Sequence, residues 1–178
     1  MPTPSLLGPL GLALPIIQGP MTGADTPALA AAVSEAGGLG MLGCGMRSPA
    51  AMAEAAAEVR RHTHRPFGMN LFVQTTPAPD EATVQAALQR LAPLYAEFGL
   101  VPERPAQWCE DFFAQFDALV AARPAVASFT FGILNAAQVA RLHAAGSYVI
   151  GTATTVAEAR AWAAVGADAV CASGMESG

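Results

Sequence analysis

Short apolar runs alternate along this chain with longer segments whose apolar residues recur at helical spacing. The run 67–73 is typical: it lies between Pro66 and a polar segment, and it is apolar except for Gly68 and Asn70. A short apolar run bounded in this way predicts a strand buried on both faces. The whole pattern predicts six strands, at 14–21, 39–42, 67–73, 125–131, 147–153 and 167–172.

The helices between these strands carry start signals. Thr26-Pro27 and Ser48-Pro49 each place a hydroxyl at the N-cap and a proline at the first helical position. Asn135 predicts another N-cap, and Thr155 with Glu158 three residues later predicts a capping box. Glycine-containing junctions then lead directly from helix to strand. The repeated strand–helix unit therefore predicts an α/β fold with a parallel sheet covered by helices.

This repeat is compatible with a (β/α)8 TIM barrel and with an open doubly wound sheet. No predicted strand is followed by a G-x-G-x-x-G loop with an acidic residue ~20 positions on, so the dinucleotide-binding fingerprint is absent. A barrel typically has eight strands and ~250 residues, whereas this chain has 178 residues. Six parallel strands would also leave two open edges, which natural proteins avoid.

The last residues, 174–178 (GMESG), follow the sixth predicted strand, and their glycines predict a turn. We therefore expect about six of the eight strand–helix units of a TIM barrel, as the N-terminal part of a longer domain. A complete, open six-stranded α/β sheet is the alternative. A longer helical pattern, divided by Pro93 and later breakers, predicts that this barrel domain over 1–178 has a helical insertion at about 80–123.

Asn70 is the most informative polar residue, because it lies inside a buried strand. An unpaired buried amide costs roughly 1–3 kcal/mol, so Asn70 must find a hydrogen-bond partner. It either caps the strand end and bonds a neighbouring loop, or bonds a polar ligand at the end of the sheet.

Composition narrows the chemistry. Charged residues make up only 13% of the chain, and the net charge of −5 gives no electrostatic footprint for nucleic acid. All nine basic residues are arginines, which excludes Schiff-base catalysis and a Walker-type phosphate loop, since both need a lysine. No apolar run could span a bilayer, and the N-terminus lacks the basic start of a signal peptide. We therefore expect no membrane partner and a cytoplasmic location.

The predicted strand ends hold few charged groups. In a parallel barrel the active site lies at the carboxyl ends of the strands. Those ends contain glycines, amides and hydroxyls, and Glu176 is their only carboxylate. This set favours a bound cofactor that does the chemistry while the protein positions it. The three cysteines are widely spaced and predict no metal site. Cys44, at a strand end, is either a small apolar filler or a ligand contact.

Several ordered segments together resemble the nitronate monooxygenase family, formerly called 2-nitropropane dioxygenases. They are 15–21 (PIIQGPM), 34–40 (SEAGGLG), 65–72 (RPFGMNLF), 126–132, 151–155 and 174–178. The resemblance covers essentially the whole chain. It implies an FMN-dependent TIM barrel that oxidises alkyl nitronates with O2 to a carbonyl compound and nitrite, with a homodimer left open.

By this resemblance, the FMN-binding positions are Pro20, Met21, Asn70, Ser173, Gly174 and Gly178. Pro20 and Met21 would lie against the flavin ring, and Asn70 matches an asparagine that hydrogen-bonds FMN. Ser173 replaces a glutamine of the family, and Gly178 falls on the first glycine of its Gly-Gly-His segment.

Thr130 stands where the family commonly has a catalytic histidine. A threonine cannot act as a base near neutral pH, so the catalytic group stays unknown. Two other functions are therefore kept open. One is an FMN-dependent NAD(P)H reductase of the enoyl-acyl-carrier-protein or quinone type, which shares several of these motifs, and the other is a non-catalytic truncated barrel.

Overall fold

The computed structural model describes residues 7–174, and its centre is a sheet of five parallel strands. Each pair of neighbouring strands is parallel and in regular register. The strands are β1 (Gly40–Gly43), β2 (Phe67–Phe72), β3 (Val126–Thr130), β4 (Tyr148–Ala153) and β5 (Ala169–Ala172). The predicted α/β class and the last five predicted strands are confirmed.

The strand order distinguishes the two architectures that the sequence allowed. The order in space is β1-β2-β3-β4-β5, the same as along the chain. A doubly wound sheet reverses its order at a switch point, and this sheet does not. Right-handed crossovers in one constant direction place all connecting helices on one face, as in a barrel.

The helices begin where the capping signals predict. Besides the short α1 (Leu7–Leu10), they are α2 (Pro27–Glu35), α3 (Pro49–His62), α4 (Glu81–Glu97), α5 (Phe112–Ala122), α6 (Ala136–Ala144) and α7 (Val156–Ala164). The side chains of Thr26 and Ser48 accept hydrogen bonds from backbone N–H groups of the first turn. Helices α6 and α7 both begin with complete capping boxes. None of the helices described in residues 7–174 combines the length and apolar character of a membrane span.

The prediction of a full strand at 14–21 is wrong. This segment forms a single parallel bridge, between Ile17 and Leu39. Leu39 N donates to Ile16 O, and Gln18 N donates to Leu39 O, both at 2.9 Å. Pro15 and Pro20 flank this bridge, and proline has no N–H with which to extend a ladder.

The sheet separates two apolar layers. Alternate strand residues such as Leu42, Met69 and Phe129 pack with the helices in the larger cluster. Residues of the opposite parity, including Met41 and Val126, form the second cluster with Leu10, Leu12, Leu39 and Ile150. Burial on both faces explains why the strands are near-continuous apolar runs. The second layer corresponds to the interior of a barrel.

Residues 75–109 form a compact unit of their own, distinct from the unit made by the rest of the chain. It contains α4, which includes Pro93 in its interior instead of ending there, contrary to the prediction that this proline divides the helical region. Arg104 pairs with Glu81 inside this unit, at 2.6 Å. Helix α5 belongs to the other unit and packs on α3. The single domain over 1–178 with an insertion at about 80–123 stays a prediction.

Candidate functional site

A cavity of about 610 Å³ opens at the carboxyl end of the sheet. Its volume is within the range of sites for small molecules and cofactors. The lining residues come from all five strands and from the segment before α2. They are Ile17, Gly19, Pro20, Thr22, Met41, Asn70, Phe72, Ser128, Thr130, Phe131, Ile150, Thr152, Cys171 and Ser173.

Strand alternation explains this set. Asn70 pairs in register with Ser128, and Phe72 pairs with Thr130. Residues two apart on a strand share a face, so all four side chains lie on the face opposite the helices. Asn70 is only 2% exposed, and its Nδ2 donates to Ser128 Oγ at 3.0 Å. Asn70 therefore combines a structural hydrogen bond with a position in the cavity wall.

Thr130 lies two register pairs further towards the carboxyl edge than Asn70 and Ser128, on the same face of the sheet. Its carbonyl accepts a hydrogen bond from Val73 N at 2.8 Å, which fixes the backbone. Its Oγ1 is buried and has no hydrogen-bond partner within residues 7–174. A buried hydroxyl without a partner is unusual in a folded protein.

Phe131, the next residue, has a left-handed backbone with φ = 67° and is 54% exposed. This region is unfavourable for a bulky side chain. Its ring contacts Phe72 edge-to-face, with the ring centroids 4.8 Å apart. Gly132 follows, where an added Cβ would lie 2.3 Å from Val73 O. Position 132 needs a glycine because the chain packs closely against Val73 there. The residue with the left-handed conformation is therefore Phe131, which lies at the cavity mouth.

The carboxylate of Asp25 organises the loops beside the cavity. Its Oδ2 accepts from Gly43 N at 2.6 Å and from Met21 N at 3.0 Å, and its Oδ1 accepts from Arg47 Nη2 at 2.9 Å. An added Cβ on Gly43 would lie 2.6 Å from Thr22 N, so only glycine fits this crossing. Asp25 thereby ties the cavity-lining segment around Thr22 to the end of β1.

Gln115 holds the same loop from the helix side. Its buried Nε2 donates to the carbonyls of Cys44 at 3.1 Å and Arg47 at 2.8 Å. The sequence pattern did not identify Asp25, Arg47 or Gln115 as site residues. Their partners are distant along the chain, and no local pattern identifies such contacts.

The predicted cofactor-binding residues separate into two groups. Pro20, Asn70 and Ser173 line the cavity. Met21, whose side chain is exposed, and Gly174 do not line it. Gly178 lies outside the described residues. Cys171 lines the cavity although the sequence did not single it out.

The cavity wall is nearly free of ionisable groups. Of its lining residues, only Cys171 has an ionisable side chain. Cys44 is fully buried on the helix side, and desolvation raises the pKa of its thiol to about 12. Cys44 is therefore a small apolar residue of the core and not a ligand contact. The residues of 7–174 contain no cluster of three or more potential metal ligands.

A parallel sheet in sequential order, with a cavity at its carboxyl edge, defines this chain as part of a barrel-type α/β protein with a small-molecule site. The family model described as "Nitronate monooxygenase" matches residues 4–178. The chain belongs to the nitronate monooxygenase family, which confirms the resemblance found in the sequence.

Two curated relatives illustrate the match. The nitronate monooxygenase of Paraburkholderia phytofirmans is 40% identical over 181 residues, covering 98% of this chain and 49% of the relative. The nitronate monooxygenase of Pseudomonas aeruginosa is 42% identical over 175 residues, covering 95% of this chain and 49% of the relative. The chain thus spans about half the length of the curated relatives it matches.

Solved structures agree. Nitroalkane oxidase from Streptomyces ansochromogenes matches with a TM-score of 0.81 and 40% identity, covering 93% of this chain and 47% of that one. FabK from Thermotoga maritima matches with a TM-score of 0.71 and 31% identity, covering 97% of this chain and 44% of that one.

The family implies a flavin cofactor, and the cavity suits the ring system of a flavin. Hydroxyl and amide groups of Asn70, Ser128 and Thr152 and the apolar faces of Phe72 and Ile150 line it. Such a wall accepts a flat, largely uncharged ring. None of the described lining residues is basic, so this wall supplies no positive charge for a phosphate.

Proposed function

We propose that the protein is an FMN-dependent nitronate monooxygenase, which oxidises alkyl nitronates with O2 to a carbonyl compound and nitrite. The observation that carries the proposal is the cavity at the carboxyl end of the sheet, built from residues of the family's motifs. Neither the reductase nor the non-catalytic fragment is favoured by the relatives.

FMN would supply the electron transfer between the nitronate and O2, and the residues of this chain would position the reactants. We assign Pro20, Asn70 and Ser173 to the flavin ring because they line the cavity. Met21, Gly174 and Gly178 stay in the proposed FMN set by the resemblance alone. The hydrogen bond from Asn70 Nδ2 to Ser128 orients the amide, so its Oδ1 is held in a defined direction.

A nitronate is already deprotonated at carbon. Its oxidation therefore does not need a base to remove that proton, which agrees with a threonine at position 130. In the proposed reaction the carbon–nitrogen bond breaks, the carbon takes up oxygen, and the nitrogen leaves as nitrite. The hydroxyl and apolar groups of the wall would orient the substrate and exclude water.

The proposal is tested with the protein in its complete natural length, loaded with FMN. We expect propyl-2-nitronate to give nitrite and acetone only when FMN and O2 are present. Rapid anaerobic bleaching of the flavin by NADPH, without nitrite formation from the nitronate, would instead identify a reductase.

The role of Asn70 is tested with Asn70→Ala and a matched control, Asn135→Ala. Asn135 is the N-cap of α6 and does not line the cavity. We expect Asn70→Ala to weaken FMN binding about tenfold, as for the loss of a buried hydrogen bond. The control should lower stability by about 1 kcal/mol and leave FMN affinity unchanged. Equal FMN affinity of the two variants would remove Asn70 from the binding site.

The wider setting of the enzyme is also part of this proposal. The partners would be an alkyl nitronate and O2, without nucleic acid, in a cytoplasmic protein that is able to form a homodimer. Residues 1–178 would be the N-terminal part of the FMN-binding barrel, with the helical insertion at about 80–123.

A further inference from the structure

The hydroxyl of Thr130 is the polar group of the cavity wall whose environment in the ligand-free protein is least complete. Ser128, two residues earlier on the same face, already accepts a hydrogen bond from Asn70. Thr130 Oγ1 is buried and finds no partner within the described residues. A hydroxyl can donate one hydrogen bond and accept two.

This state is costly, and a simple substitution would avoid it. Valine has nearly the same shape as threonine and is equally suited to a strand. It would fill the same space without burying an unpaired oxygen. Within residues 7–174 the fold therefore gains no side-chain hydrogen bond from this hydroxyl.

Rotation about χ1 offers the hydroxyl a second position. Threonine has three staggered rotamers, and one change between them moves the hydroxyl to the place of the methyl group and the methyl group to the place of the Cβ hydrogen. Thr130 lines the cavity although its Oγ1 is buried, so a rotation of this kind is what would bring the oxygen to the cavity space. The backbone does not need to move, since Val73 N holds the carbonyl of Thr130.

The position of Thr130 favours the substrate over the flavin as the partner. Thr130 is two register pairs nearer the carboxyl edge than Asn70, and it precedes Phe131 at the mouth. A small substrate that enters through the mouth would meet Thr130 on this side. The two oxygens of a nitronate share a negative charge, and a hydroxyl donates strongly to such an acceptor.

We propose that the Thr130 hydroxyl rotates into the cavity when substrate binds and donates a hydrogen bond to a nitronate oxygen. This inference rests on the proposed function. It makes Thr130 a substrate-binding residue that contacts the reacting group, and it requires no proton transfer by Thr130.

The test compares Thr130→Val with Thr130→Ser in the FMN-loaded protein of complete natural length. We expect Thr130→Val to raise KM for propyl-2-nitronate, and lower kcat/KM, about tenfold. Thr130→Ser keeps the hydroxyl and should stay within about twofold of the wild type. FMN affinity, measured by the quenching of flavin fluorescence, should be the same in all three proteins.

A second measurement uses the ligand-free protein. Since the hydroxyl has no partner there, Thr130→Val should melt at the same temperature as the wild type or at a higher one. A lower melting temperature would show that the hydroxyl is already bonded, and would overturn the inference.

The outcomes separate this inference from the proposed function. Unchanged kcat/KM in Thr130→Val, with nitrite still produced, refutes the role of Thr130 alone. A wild-type protein that binds FMN but releases no nitrite refutes the proposed function, and the inference with it. Failure of Thr130→Ser to restore kcat/KM would assign the effect to shape and not to the hydroxyl.

Discussion

At the scale of single residues, Asp25 shows how a side chain outside the cavity shapes its wall. One buried carboxylate accepts hydrogen bonds from two backbone N–H groups and from Arg47. The donors lie at the carboxyl end of β1 (Gly43), in the loop after it (Arg47) and in the segment before α2 (Met21). The position of the cavity wall therefore depends on the Asp25 carboxylate, although Asp25 does not line the cavity.

Asp25→Asn should be strongly destabilising for this reason. An amide offers one acceptor oxygen and turns its NH2 group towards a donor, so at least one of the three donors loses its partner. We expect a loss of about 2–4 kcal/mol in the free energy of unfolding, measured by urea denaturation. Asp117→Asn is the control: it removes an exposed ion pair with Arg141 and should cost under about 1 kcal/mol. Equal losses in the two variants would contradict this role of Asp25.

The three cysteines should differ in reactivity. Burial raises the pKa of Cys44 to about 12, while Cys109 and Cys171 are exposed. Since the thiolate is the reactive form, iodoacetamide at mildly alkaline pH should label Cys109 and Cys171 and spare Cys44. Bound FMN or substrate should protect Cys171, which lines the cavity, and leave Cys109 as an internal control. Peptide mass spectrometry reads all three sites, and rapid labelling of Cys44 in the folded protein would be inconsistent with its burial.

Sequence reasoning reached one kind of site residue and missed another. Asn70 stood out because a polar residue interrupts a buried apolar strand, and the structure places it in the cavity wall. Asp25 and Gln115 did not stand out. Asp25 precedes a helix cap and Gln115 lies within a helix, both ordinary places for polar residues, and their roles depend on contacts across the fold.

At the scale of elements, local capping chemistry made the helices predictable. Thr26, Ser48, Asn135 and Thr155 all cap the helices expected from the sequence. The first strand was not predictable from its apolar residues, because its length depends on available N–H groups and on a neighbouring strand. The hydrophobic pattern shows neither the missing N–H groups of the prolines nor the presence of a neighbouring strand.

The capping box of α7 should contribute to stability in a pH-dependent way. Hydrogen bonds from the N–H and hydroxyl of Thr154, and from Thr155, hold the pKa of Glu158 below its usual value of 4.5. A folded-state pKa below the unfolded one stabilises the fold above pH 4.5, and this contribution is lost as the pH falls through the folded pKa. We therefore expect Glu158→Gln to lose less stability than the wild type on acidification. Parallel melting curves at neutral and acidic pH measure the difference, and identical acid sensitivity would argue against the contribution.

At the scale of the whole molecule, the two ends of the sheet have different chemistry. The carboxyl end holds the cavity, where the Thr130 hydroxyl has no hydrogen-bond partner among the described residues. At the amino end, Asp168 Oδ2 accepts from Val149 N at 2.7 Å and lies 2.9 Å from His143 Nε2. Tyr148 and Ser147 also have hydrogen-bond partners there. Because these polar groups form hydrogen bonds within the protein, they stabilise the fold, as is general for the amino end of a barrel.

Asp168→Ala should therefore separate stability from binding. It leaves the buried Val149 N–H without its acceptor, and we expect a loss of about 1–3 kcal/mol in unfolding free energy. FMN affinity should not change at temperatures where the variant is folded. A change in FMN affinity equal to that of Asn70→Ala would show that the two ends do not act independently. Thermal denaturation and fluorescence titration give the two readings on one sample.

The sequential strand order has a consequence for how the molecule is made. Each of the strands β2 to β5 pairs with the strand that precedes it in the chain. Its pairing partner has therefore already been synthesised when the strand itself is made. The sheet can grow by one strand–helix unit at a time as the polypeptide leaves the ribosome, N-terminal units first. Each new unit finds a template already in place, and the growing edge of the sheet is covered by the next segment to be synthesised.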